Sequence, residues 1–139
     1  MRIRCIKPEF WVSESIGRLS RDARLFFVGL WSIADDSGRG RGILPYLSGA
    51  LFPYDSDALN LMPKWFSELE KEKMVRRYIG PDGNHYFDLP NWLKHQKIEK
   101  PSPSKLPPFT ESSPNPPRIL PEGSGLDQGS GIRDQGEDQ

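Results

Sequence analysis

The sequence predicts an α+β domain, mainly helical, followed by a disordered C-terminal tail, and three observations carry that reading. Of 139 residues 35% are hydrophobic, yet only six of these, and one of the 15 aromatic residues, fall after Ile98. Apolar residues recur at helical spacing in three stretches before residue 74. Two short β-rich runs then flank a turn rich in Gly, Pro and Asp. The division near Ile98 gives a domain over 1–98 and a tail over 99–139. The tail holds eight of the 14 prolines and has too little apolar surface to offset its ordering entropy.

Each element has its own local cause. Pro8 to Ile16 forms a short helical turn, with Phe10, Trp11 and Ile16 closing onto the domain and Gly17 ending it. Ser20 offers an N-cap oxygen and Asp22 a carboxylate beside the helix dipole, so Ala23 to Ala34 is the strongest helix. Its apolar residues run so continuously that other elements are expected to cover most of its circumference. Asp35, Asp36, Ser37 and Gly38 stop it, and Arg39 to Gly42 extends away toward Ile43. Leu44 to Phe52 reads as a second helix with Pro45 in its first turn and Pro53 as its stop. Leu59, Met62, Phe66 and Leu69 continue a helical period, but Pro63 is expected to break it, so the third helix runs from Pro63 to about Lys73. Met74 to Ile79 and His85 to Leu89 form one hairpin around Gly80 to Asn84, after which Trp92 acts as an apolar lid. Three helices followed by a hairpin, with a short link between the second and third, spell a winged helix-turn-helix with a β-hairpin wing.

Composition excludes several functions. The 19 basic residues equal the 19 acidic ones, but a mildly basic domain is joined to an acidic Pro/Gly/Ser-rich tail. Cys5 stands alone, which excludes an internal disulfide and agrees with a reducing compartment. Charge and Pro8 interrupt the N-terminus before an export signal develops, so a cytoplasmic protein without a membrane span is expected. No catalytic triad or metal motif is visible, so no enzyme activity and no cofactor are expected. His85 and His95 read as one strand histidine and one exposed histidine rather than a metal pair. Gly38 to Gly42 has the glycines of a phosphate loop without the Gly-Lys-Ser/Thr that would hold nucleotide and metal.

Duplex DNA is the better-supported partner. Taking Phe66 as the inward direction of the third helix, Lys64, Glu68 and Lys71 lie opposite, with Ser67 beside them. Such a helix fits the major groove, where Lys and Ser donate to guanine or phosphate. The alternative is a solvated face of ordinary Lys–Glu pairs in which Glu68 repels phosphate. Arg76 and Arg77 alternate across a strand, so at most one faces DNA. Asn84 and His85 at the wing tip suit the backbone or minor groove, although Asn also suits a turn. Lys94 and Lys97, flanking His95 and Gln96, form the densest donor run, read either as a phosphate contact or as a solubilising surface. Arg39 and Arg41 add a third patch, without the proline of the usual Arg-Gly-Arg-Pro minor-groove hook.

A set of motifs carries a family resemblance over residues 1–105. They are Arg2-Ile3-Arg4 with Ile6-Lys7-Pro8-Glu9-Phe10-Trp11, Leu19-Ser20 with Ala23-Arg24-Leu25, and Gly29-Leu30-Trp31 with Ala34-Asp35 and Gly38-Arg39. Leu51-Phe52-Pro53 and Asn91-Trp92 with Lys94-His95-Gln96-Lys97-Ile98 extend the set. In these the chain resembles the N-terminal winged-helix domains of phage and prophage replication proteins of the replisome-organiser kind. The resemblance implies binding at a phage replication origin in a bacterial host cell and recruitment of host or phage replication proteins. Most of the motif residues are core or junction positions, so they speak to fold before function. A transcriptional regulator of the same fold, and a winged helix that binds protein instead of DNA, are the alternatives; Glu68 and the low net charge suggest the latter.

Overall fold

A computed structural model describes residues 1–116. After a 3-10 turn at Pro8–Val12 come α1 (Glu14–Gly17), α2 (Arg21–Ile33), β1 (Arg39–Arg41), α3 (Leu44–Leu51), α4 (Ala58–Lys71), β2 (Arg76–Ile79), β3 (His85–Asp88) and α5 (Trp92–His95). The fold is α+β and mainly helical, with one antiparallel sheet in the order β1-β3-β2. Among the described residues no helix is long and apolar enough to cross a membrane.

The N-terminus of α2 forms where the sequence places it. The Ser20 hydroxyl accepts from the Ala23 N–H (3.2 Å), satisfying one of the four donors that a helix start leaves free. Phe26, Phe27, Leu30 and Trp31 make its buried face, each side chain contributing about 1.5–3 kcal/mol on burial. The cover expected over most of its circumference leaves a gap at Leu25, which is 61% exposed, while Val28 and Ile33 are partly buried against the core. The apolar excess beyond one face lies at the rim of the core. At the other end Arg4 caps the helix from outside, donating through Nε to the Trp31 carbonyl (3.0 Å) and through Nη2 to that of Ala34 (2.8 Å). This gives the Arg2-Ile3-Arg4 motif a structural role.

Two elements differ from the sequence expectation. Arg39–Arg41 is a strand, pairing antiparallel with β3 so that Gly40 faces Phe87. A Cβ at position 40 would run into the Phe87 ring, so only glycine lets the two strands approach there. Helix α4 starts at Ala58 and runs through Pro63. The proline removes one backbone hydrogen bond, but burial of Ala58 and Met62 before it and of Trp65, Phe66 and Leu69 after it holds the helix on both sides. The hairpin matches its expected turn: Gly83 takes φ +81° and the Gly80 N–H donates to the Asn84 carbonyl (2.9 Å). Trp92 is buried as the expected lid, its indole N–H donating to the Asp36 carbonyl (3.1 Å).

The segment from Glu99 to Pro116, assigned from composition to the disordered tail, instead packs along the domain. The Ser102 N–H and the Ser104 hydroxyl donate to Asp36 (3.0 Å) and Asp35 (2.6 Å) just past α2. Farther along, the Tyr78 hydroxyl donates to the Pro107 carbonyl (2.6 Å), and the Ile79 N–H on the free edge of β2 donates to that of Pro114 (2.8 Å). A proline-rich chain has few N–H donors to satisfy but all its carbonyls, and the sheet supplies donors. Phe109, the tail's one aromatic, sets its ring edge-on to Tyr78 at 5.7 Å. Residues 117–139, the remainder of the expected tail, lie outside the described residues.

Candidate nucleic-acid interface

Helix α4 has a sharply divided circumference. Asn60, Lys64, Ser67 and Lys71 are exposed, and their spacings of four, three and four residues align them along one face. Among the described residues neither lysine makes an ion pair, whereas each nearby glutamate is engaged elsewhere. Glu68 accepts from the Ser20 N–H (2.7 Å) and hydroxyl (2.9 Å), so its charge sits at the N-terminus of α2, where the helix dipole favours it. Glu70 accepts from Arg77 (3.2 Å) and Glu72 from Arg18 (2.9 Å). The face therefore presents two ammonium groups, an amide and a hydroxyl without a carboxylate among them. Asn60 joins this face only because the helix continues through Pro63.

The two strand arginines have opposite fates. Arg77 is a correction to the candidate set: it is 8% exposed and turned inward, with Nη2 on Glu70 and its guanidinium 4.7 Å from the Phe66 ring centre. Pairing with Phe87 puts it on the core side of the sheet, out of reach of a ligand. Arg76 faces outward, but it binds Asp88 bidentately (2.8 and 2.6 Å) and stacks 4.1 Å from the Phe109 ring centre. Its geometry serves the outer sheet face more directly than phosphate. Arg39 lies half-buried under the same segment, with Nη1 3.4 Å from the Leu106 carbonyl, while Arg41 is exposed at the end of β1.

The wing tip is acidic rather than basic. Asn84 donates from its amide to Asp82 Oδ2 (3.1 Å) and from its N–H to Oδ1 (3.0 Å). The Tyr86 hydroxyl also donates to Asp82 and is the main reason that carboxylate titrates below its ordinary value, with the Asn84 N–H second. His85 is half-buried, and its carbonyl accepts from the Gly42 N–H (2.9 Å). The run at residues 94–97 separates into two kinds. Lys94 and Lys97 are exposed, whereas Gln96 is buried and exchanges hydrogen bonds with the Cys5 backbone. His95, expected on the surface, stacks on Trp31 (5.7 Å) and meets Phe27 edge-on (5.8 Å). Burial, then Lys7 and Lys94, hold its protonation below the ordinary histidine range.

No family model, curated protein or solved structure matches the chain.

Proposed function

We propose that the protein binds duplex DNA as a winged helix, inserting α4 into the major groove. The carboxylate-free face of Asn60, Lys64, Ser67 and Lys71 carries this reading. The order helix, strand, two helices and hairpin, with β1 beside the wing strand β3, agrees with a winged-helix topology. Glu68, the chief objection in the sequence, is held by Ser20. Lys94 and Lys97 supply phosphate contacts, and the acidic wing tip contributes little. By the resemblance of residues 1–105, the role is replication initiation at a phage or prophage origin, with replication proteins of host or phage as partners and no chemistry of its own.

The test compares a matched and a scrambled duplex at three salt concentrations. Removing Lys94 and Lys97 together is expected to weaken both duplexes alike and lower the salt slope by about two. Replacing Asn60, Lys64 or Ser67 by Ala is expected to change the preference between duplexes by about 1–3 kcal/mol for a lost base contact. Unchanged binding in all these variants would reject the helix-in-groove reading in favour of a protein-binding winged helix. Mapping the bound sites across a phage genome separates an origin from a promoter.

A further inference from the structure

A cleft of about 320 Å³ opens between the N-terminal 3-10 turn, the link from α4 to β2, and α5. That volume is at the small end of the range for small-molecule sites, roughly 300–1,000 Å³. Its apolar wall includes Phe10, Ile16, Trp31 and Met74, and three lysines from separate parts of the chain, Lys7, Lys73 and Lys94, line it, with the Lys7 ammonium donating one of its three protons to the Lys94 carbonyl (2.7 Å). Among the described residues none of the three forms an ion pair. Of the two carboxylates in the lining, Glu72 is paired with Arg18 at 2.9 Å, which leaves Glu9 against three lysines.

The donor set is also incomplete. Ser13 and Ser15 line the cleft, and in the bonds they make their hydroxyls accept, from the Ile16 N–H (3.4 Å) and from Arg18 (3.1 Å), so their own protons remain to be donated. The Trp31 indole N–H has no acceptor among the described residues, but at 1% exposure it lies beneath the wall and is not a donor to the cleft. Lys73 and Asn91, which both line the cleft, are the non-glycine residues with positive φ among the described residues, at +59° and +62°. A concave site with surplus cations, free hydroxyl donors and an aromatic wall matches an anion attached to a compact apolar body.

We infer that this cleft binds a small phosphate monoester, its phosphate held by Lys7, Lys73 and Lys94 and its apolar body laid against Phe10 and Met74. A dianionic phosphate fits a surplus of more than one positive charge better than a carboxylate does. The inference stands apart from the DNA reading, with which it shares only Lys94.

Phenyl phosphate is the probe, titrated into the full chain and followed by calorimetry and by the His95 ring signals in NMR. Saturable one-to-one binding is expected, at least tenfold tighter than benzoate. His95 should take up its proton at higher pH when the site is filled, because the bound anion adds negative charge to an environment of Lys7, Lys73, Lys94, Glu9 and Glu72. Lys73→Asn with Lys94→Gln is expected to weaken binding at least tenfold. Asn tolerates the left-handed backbone at position 73, and an unchanged unfolding midpoint would show that the variant is folded. Lys7→Gln offers a second variant if it is not. Absence of binding at millimolar probe, equal affinity for benzoate, or unaltered affinity in a folded lysine variant would each overturn the inference. Weakened duplex binding in folded Lys7→Gln or Lys73→Asn, at lysines outside the DNA reading, would do so too, assigning the cleft to backbone phosphate.

Discussion

The two faces of the three-stranded sheet are covered by different means. The inner face, with Phe87 and Arg77, packs on helices whose buried residues recur at helical spacing, such as Met62, Phe66 and Leu69 on α4. The outer face, with Tyr78, Tyr86, Arg76 and Asp88, is covered by a proline-rich extended segment that has no periodicity. One cover is built from many dispersed apolar contacts, the other from a few specific ones: a Tyr hydroxyl on a proline carbonyl, an aromatic pair, and an arginine stacked on Phe109. The first kind loses stability wherever it is cut, while the second depends on single groups.

The largest effect should come from the inner cover. Phe27→Ala removes a fully buried ring that packs with Phe10 and Trp31, and a loss of about 3–5 kcal/mol is expected in denaturant unfolding. A loss below that of any change to the outer cover would reverse the comparison. Next, truncation after Lys105 strips Pro107, Phe109 and Pro114 from the sheet and exposes Tyr78, so about 1–3 kcal/mol should be lost. An unchanged thermal midpoint would show that the outer cover contributes nothing. Tyr78→Phe keeps the ring and removes only its bond to the Pro107 carbonyl. The cost should be about 0.5–1.5 kcal/mol, and it should vanish in the truncated chain, a double-mutant cycle that sharpens the assignment. Burial raises the Tyr78 pKa to about 12, so this hydroxyl stays a neutral donor throughout the physiological range.

The smallest effect concerns His95 on the helical side. Its folded pKa is depressed, by burial first and then by Lys7 and Lys94. Between the folded and unfolded values the unfolded chain holds more protons, so the stability is complete above the ordinary value of 6.5 and is lost as pH falls through the folded one. Unfolding midpoints measured from pH 7.5 to pH 5 should fall more steeply for the native chain than for His95→Gln. Parallel curves would remove His95 from the packed interior.

Local chemistry in the sequence determined much of this. Ser20 as an N-cap, the turn at Gly80 to Asn84, the lid at Trp92 and the outward direction of Lys64, Ser67 and Lys71 each follow from a few neighbouring residues and a fixed period. Met62, four residues before Phe66, also held the information that α4 continues before Pro63, although Leu59 of the same period is exposed; weighing the proline's lost hydrogen bond above the burial on either side concealed it, and Asn60 with it. Tertiary structure alone decided the rest, because those outcomes join residues distant in the chain. Glu68 is drawn to Ser20, Arg77 and not Arg76 is taken into the core, His95 is half-buried against Trp31, and Gly40 finds Phe87 across a strand pair. Composition assigns Pro101 to Pro116 a high ordering cost with little apolar gain, but it cannot register that the sheet offers the Tyr78 hydroxyl to the Pro107 carbonyl and the Ile79 N–H to that of Pro114. That complementarity exists only once β2 and β3 have paired.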